Sequence, residues 1–376
     1  MKFVLKILIS LLVICHISTY GQKISDDSLL KNARQEIYNN PEHTIIIAKN
    51  LLKKEKDINQ SISLYMLLST ANIAKRDFDE SLKYILKAKE LATRSNDLKT
   101  QTSVLISVAI QYQQMELFSK SLETLNEADE YLVKLPDGLF EKNIETARSY
   151  AIRGMIYKSQ SNSEIALEKF LKSIESFKKV NPRSGTYANI SVVLYNIGYC
   201  YLNLNQIDKA EQAFLQSIDY ARKNQAKSLE AFALKGMSEV YKQKRKNQDA
   251  LNMLIKAEEL SQNTNDLVLN EGIYKEMADN YLAIGNQNLY QVFNKKYFEM
   301  RFKREQNELN SINQAIDNHN KETLIKSEEI KNSFHYCLAA LVGFGILVIA
   351  VLLSFIFKIR NKNKKYQKEI QQMIHS

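Results

Sequence analysis

Histidines, cysteines and clustered carboxylates are the side chains able to carry acid–base, nucleophilic or metal chemistry, and here their spacing supports none of the three. The five histidines, His16, His43, His319, His335 and His375, are scattered and share no site. Of the three cysteines, Cys15 lies in an apolar leader, Cys200 in a helical stretch and Cys337 in an apolar C-terminal span. They form no C-x-x-C pair and no disulfide framework, and Cys200 reads as a small core residue. No Gly-rich phosphate loop, H-E-x-x-H or G-x-S-x-G occurs. Acidic residues lie on helix faces among basic neighbours, as on a solvated surface. The expectation is a protein that is not an enzyme, with no catalytic residue, no cofactor and no metal.

What remains is recognition by surfaces, and the composition says which elements present them. Three prolines and ten glycines in 376 residues are too few for an all-β chain, which needs a turn about every ten residues. Leu, Ile, Ala, Lys, Glu and Gln dominate, so the fold class is all-α. The net charge is +10, of which Lys2 and Lys6 supply +2 and the tail 358–376 supplies +5, leaving +3 for the body. That mixed body calls for no acidic partner, and no nucleic acid is expected to bind this chain.

The two ends predict topology. Residues 1–21 read as a signal peptide: Lys2 and Lys6, then the apolar run Ile7–Ile14, then Thr19 and Gly21 before a cleavage site at Gln22. A lipoprotein modified at Cys15 and an uncleaved anchor are the alternatives. Residues 336–357 hold no charge over a length that spans a bilayer as a helix. Lys358, Arg360, Lys362, Lys364, Lys365 and Lys368 follow at once, which puts the tail 358–376 in the cytoplasm and the repeats outside the cytoplasmic (inner) membrane, in the periplasm.

Between the ends lies a repeat. Leu194, Ile197, Gly198, Tyr201, Ala210, Phe214 and Ser217 follow one another at offsets that recur from residue 147 (Tyr150, Gly154, Tyr157, Ala166, Phe170, Ser173), from 102 (Leu105, Ala109, Tyr112, Ser121, Leu125, Ala128) and from 231 (Leu234, Ser238, Tyr241, Ala250, Leu254, Ala257). Weaker copies begin at 25, 62 and 271, and Pro136–Gly138 and Pro182–Gly185 fall in the two longest spacings as loops. The pattern resembles the tetratricopeptide repeat, with large residues at positions 4, 11 and 24 and small ones at 8, 20 and 27. The resemblance implies about seven stacked helix pairs over 22–297, a superhelical α-solenoid whose core runs through the stack. A stalk helix, 298–335, and the membrane helix follow. Phe298, Phe302, Leu309, Ile312 and Ile316 have coiled-coil spacing, and Ala339/Gly343 and Ala350/Ser354 are small-xxx-small pairs, so a homodimer through stalk and membrane helix is the expectation.

The resemblance also implies a site. The concave face of such arrays is lined by positions 2, 5, 9 and 12 of each first helix. Positions 5 and 9 give Met66 and Thr70, Ile106 and Ile110, Ala151 and Met155, Tyr195 and Tyr199, Lys235 and Glu239, Lys275 and Asp279. A groove that is apolar, then aromatic, then charged suits a protein or extended peptide ligand. Its centre would be Tyr195 and Tyr199 with Lys235 at the rim, joined by Glu239, Met155 and Ile110. The other readings are two tyrosine rings packed on a neighbouring repeat, or a groove that is filled by the chain's own N-terminal segment or simply solvated. The order leader, repeats, stalk, membrane span and basic coil is similar to bacterial envelope sensors and transcriptional regulators. In those, a kinase or DNA-binding module follows the coil, and some carry a phospho-accepting histidine there. Here only Ser376 follows His375, so the resemblance implies an exported-side sensor or scaffold acting through a cytoplasmic partner or a missing output domain. A structural scaffold for an envelope complex is the alternative.

Overall fold

The structure is a computed structural model that describes residues 26–374 apart from 38, 182, 183, 263 and 265. The predicted leader, the histidine at 375 and Pro182 lie outside these residues. No strand occurs among the described residues. Among the described residues fourteen helices form seven antiparallel pairs: α1 (Asp26–Glu36) with α2 (Pro41–Leu52), α3 (Ile58–Ala74) with α4 (Phe78–Thr93), α5 (Leu98–Gln114) with α6 (Phe118–Lys134), α7 (Phe140–Ser159) with α8 (Ser163–Lys178), α9 (Ser184–Asn203) with α10 (Ile207–Lys223), α11 (Lys227–Gln243) with α12 (Asn247–Ser261), and α13 (Leu267–Ala283) with the start of α14 (Gln287–Ile374). Pro136–Gly138 is a loop, and α9 already begins at Ser184, within the stretch expected to be the other loop.

Helix starts follow from short polar side chains. Asp57, Asp77, Asn162 and Asp266 each accept a hydrogen bond from the amide three residues on, which satisfies one donor of the exposed first turn. The ends of the first helices share one turn. A residue with positive φ (Arg76, Glu116, Ser161, Asn205, Arg245 or Gly285) is followed by an amide that reaches back five residues, as Leu117 N does to Tyr112 O at 2.9 Å.

The pairs close on their small residues. Ser81, Ile85 and Ala88 of α4, Ala166, Phe170 and Ser173 of α8, and Ala210, Phe214 and Ser217 of α10 are all fully buried. The buried hydroxyls donate to carbonyls of the partner helix: Ser121 Oγ to Ala109 O at 2.8 Å, Ser173 Oγ to Ala147 O at 2.7 Å and Ser217 Oγ to Ser191 O at 2.8 Å. Gly198 and Gly236 press on Phe214 from two first helices, and a Cβ at either would come within 2.6 and 2.2 Å of its ring.

The chain divides into two compact units at Ala315/Ile316. Within the first, distant repeats touch. Asn39 Nδ2 donates to Gln225 O and Asn39 Oδ1 accepts from Lys227 N, both at 3.1 Å, tying the first pair to the turn before α11. Ser311 of α14 binds the start of α4, and Arg76 lies 3.6 Å from Glu308. The part of α14 in this unit packs through Phe293, Ser311 and Ala315, while Phe298, Phe302 and Leu309 are exposed. In the second unit every described side chain after Ile316 is exposed, and α14 is the one helix among the described residues long and apolar enough to cross a membrane.

Candidate functional site

The first helices turn their inner faces toward a common interior. Residues of α3, α5, α7, α9 and α11, with Thr264 and Asp266 before α13, line a cavity of about 310 Å³. Its apolar walls include Ile73, Ile110, Met155, Val192 and Phe232, and its polar groups include Arg76, Gln113, Gln114 and Asn189. A second chamber of about 980 Å³, lined from α1 to α9, shares Ile37, Thr70, Ser107, Arg148 and Asn189 with the first. The two therefore form one groove with common walls. Arg148 is held at their junction: Nη1 donates to both carboxylate oxygens of Glu145 at 3.0 and 2.7 Å, and Nη2 to Ser107 Oγ at 3.0 Å.

The six residues that the sequence nominates are brought together in two groups. Ile110 and Met155 lie in the wall of the smaller cavity. Tyr195, Tyr199, Lys235 and Glu239 form a separate cluster. The two rings meet edge to face with centroids 5.0 Å apart, and they pack on Phe214 and Phe232 at 5.3 and 5.6 Å. Lys235 Nζ donates to Tyr199 Oη and to Glu239 Oε1, both at 2.7 Å, and Tyr199 Oη donates to the same carboxylate oxygen at 2.5 Å. The Lys235 and Glu239 side chains are only 14% and 21% exposed, so the charged end expected of an open groove is instead a paired, half-buried network. Gly272 of α13 leaves room for the Lys235 stem. Phe232 touches Tyr195 and also lines the cavity, and so connects the two groups.

Burial dominates the electrostatics of the cluster. It would raise the Glu239 carboxyl, but the Lys235 ammonium and the hydrogen bonds from Lys235 and Tyr199 together outweigh burial and hold the carboxyl below its ordinary range. Burial pushes the Tyr199 phenol well up. Lys158 Nζ lies 4.9 and 5.5 Å from the Tyr199 and Tyr195 ring centroids and donates to Asn196 Oδ1 at 2.8 Å. Burial pulls this lysine down to about 8. The cation–π contacts replace part of its lost hydration.

Several groove residues escape positions 5 and 9. Arg148 and Phe232 stand at position 2 of their repeats and Gln113 at position 12, so these offsets carry the signal that finds them; Lys158, also at position 12, joins the aromatic cluster rather than the cavity lining. Arg34 and Arg76 have no such signal, since one lies on the degenerate first repeat and the other in a turn.

The sequence and the fold are similar to those of known proteins. The tetratricopeptide repeat family matches residues 192–224, across α9 and α10. Over 155 residues the chain is 24% identical to tetratricopeptide repeat protein 29 of Macaca fascicularis, a match covering 41% of this chain and 31% of that protein. The matched stretch is thus about a third of that relative's length. Among solved structures the chain is similar to the Rap conjugation gene regulator of the plasmid pLS20 in complex with a peptide (TM-score 0.59, 13% identity, 75% of each chain). It is also similar to a Rap protein complexed with competence and sporulation factor (TM-score 0.55, 14% identity, 82% of this chain and 88% of that one). A third is NprR in complex with its cognate peptide NprX (TM-score 0.52, 14% identity, 78% and 83%). The shared property is the fold, a tetratricopeptide-type helical solenoid.

Proposed function

We propose that this solenoid binds a protein or extended peptide in its interior groove, on the exported side of a single-pass membrane anchor, and acts as a sensor or scaffold through a cytoplasmic partner. The observation that carries the reading is the convergence of five first helices on one cavity whose walls alternate apolar side chains with amides and hydroxyls. Apolar pockets take side chains, and amides such as Gln113, Gln114 and Asn189 match the donors and acceptors of a peptide backbone. Two of the similar solved structures, the Rap conjugation gene regulator and NprR, are complexes with peptides, and the third is a complex with competence and sporulation factor. Topology rests on the leader and the basic flank after residue 357. The exposed Phe298, Phe302 and Leu309 support pairing of two copies through α14.

The test is retention of N-acetylated hexapeptide mixtures by the purified full chain in detergent, before and after Ile110→Trp with Met155→Trp fills the smaller cavity. Retention lost at unchanged melting temperature supports the groove; retention undiminished by the filled cavity overturns it. A phosphatase reporter active after Lys331 and silent after Gln372 checks the orientation, and the opposite pattern would reverse it. The second reading, an assembly scaffold without signalling, draws support from the contacts of Asn39 and Ser311 that lock distant repeats together. It gains if the groove retains nothing.

A further inference from the structure

The stretch after the apolar span is amphipathic in its own right. Six cations, Lys358, Arg360, Lys362, Lys364, Lys365 and Lys368, fall within eleven residues, and Glu369 is the one acid of 358–370. Before the span, 321–333 holds three lysines and three glutamates, so the excess of positive charge is confined to one flank. Residues 358–370 are all helical and exposed. Among them Ile359, Tyr366 and Ile370 are exposed apolar side chains. Tyr366 and Ile370 follow Ile359 by seven and eleven residues, which sets the three within about 40° of one another round the helix. The cations take the rest of the circumference. An apolar stripe on a lysine-rich helix is the pattern of a helix that lies in a membrane interface. A second copy of the stripe is the other cover to weigh, and charge opposes it. Pairing two copies would set a net +5 beside another +5. An anionic lipid surface instead answers every cation, and each Lys or Arg near such a surface strengthens attachment by about fivefold. Lys358 follows the span directly, which keeps the segment within reach of any bilayer that the span crosses.

We infer that residues 358–370 dock on anionic phospholipid headgroups. At such a bilayer the segment turns along the surface, with its cations on the lipid phosphates and Ile359, Tyr366 and Ile370 against the acyl boundary. This rests on the single-pass reading of 336–357 and adds what the basic flank recognises. Tyr366 separates the two placements. Upright from the membrane it would stand about 13 Å beyond residue 357, past a headgroup layer of roughly 5–8 Å. Along the surface its ring lies within that layer, where an aromatic ring with a polar tip is well accommodated.

The chain contains no tryptophan, so Tyr366→Trp at this exposed position installs a single fluorescent reporter. The full chain carrying it is reconstituted in vesicles of phosphatidylcholine alone and of phosphatidylcholine with phosphatidylglycerol. The expected result is emission characteristic of water in the neutral vesicles and a shift to the blue in the anionic ones. The shift should be lost at 1 M salt, where surface charge reaches only about 3 Å. Lys364→Gln with Lys365→Gln in the reporter chain should raise the phosphatidylglycerol content needed for half of the shift. A ring in water in both vesicles, or an equal shift in both, overturns the inference. A shift that follows the protein-to-lipid ratio whatever the headgroup also overturns it and assigns the stripe to a second copy. Alkaline carbonate washing of the unaltered chain in neutral vesicles keeps the two readings apart. Release of the chain overturns the single-pass reading and this inference with it, whereas a retained chain with no headgroup-dependent shift overturns the inference alone.

Discussion

Ser311 Oγ accepts the backbone N–H of Phe78 at 2.6 Å and that of Asp79 at 3.1 Å, so a serine on the last helix completes the N-terminus of a helix 233 residues earlier. Asp77 already takes the third amide, from Glu80. All three first-turn donors of α4 are therefore satisfied, two of them from outside the repeat. Ser311→Ala should cost about 1 kcal/mol, the usual worth of a lost cap. Hydrogen exchange should speed up first at Phe78 and Asp79. Unchanged exchange at those two amides would show that the latch does not hold in solution.

Phe214 sits between Gly198 and Gly236, and neither position has space for a methyl group. Gly198→Leu should destabilise the solenoid by about 2 kcal/mol or more, because the Phe214 ring is fully buried and has nowhere to go. At an open groove position Glu239→Ala would be nearly neutral. The network around it changes that expectation, since the substitution leaves the Lys235 ammonium half-buried beside Tyr199 without its counter-charge, and a cost of about 1–3 kcal/mol follows. Thermal melts of the two variants against an exposed control such as Glu259→Ala decide both points.

Why these packing positions were legible, and others not, is a matter of what each position must satisfy. Gly198, Ala210, Phe214 and Ser217 are constrained by volume at a helix crossing, and volume leaves a mark in residue type. The turns are different. Arg76, Glu116, Ser161 and Arg245 occupy left-handed seats that glycine would fill at least cost, so no glycine announces them. Groove positions 5 and 9 located Ile110 and Met155. The same two offsets pass over Arg148 and Lys158, which stand at positions 2 and 12 of their repeat. The meeting of Asn39 with Lys227, or of Ser311 with Phe78, depends on superhelical pitch accumulated over several repeats, and no local pattern encodes that.

Lys158 gives the solenoid a pH dependence of predictable sign. Its value is about 8 in the folded chain against 10.5 for an unperturbed lysine, so the unfolded chain binds more protons between those values. The contribution to stability is fully present above 10.5 and is lost as pH falls through about 8. Stability of the unaltered protein should therefore rise from pH 8 toward 10.5 relative to Lys158→Met, in which this dependence is absent. The variant should also be the more stable of the two at neutral pH, provided the methionine packs against the Tyr195 and Tyr199 rings. Parallel stability curves for the two proteins over that range would contradict the buried, unpaired placement of this ammonium.

The last prediction separates recognition from packing at Tyr195 and Tyr199. Positions 5 and 9 of the repeat put both rings on the expected concave face, while Leu194, Gly198 and Tyr201 occupy its packing positions 4, 8 and 11. Each ring nonetheless touches Phe214, and the Tyr199 hydroxyl sits between Lys235 and Glu239. Replacing both by Ala would open a cavity and strand an ion pair at once, so loss of binding in that variant would say nothing about contact. Phenylalanine keeps the rings and removes the hydroxyls. Tyr195→Phe should leave stability close to that of the parent protein, while Tyr199→Phe should lose about 1 kcal/mol through the broken hydrogen bonds. If the tyrosines meet the ligand through their hydroxyls, peptide retention falls in both variants. If they act by supporting Phe232 at the cavity wall, retention survives both and falls instead with Phe232→Ala. Retention that falls in Tyr195→Phe at unchanged melting temperature assigns the aromatic cluster to the binding surface; retention that stays level in both Phe variants removes it and leaves Ile110 and Met155 as the recognition wall.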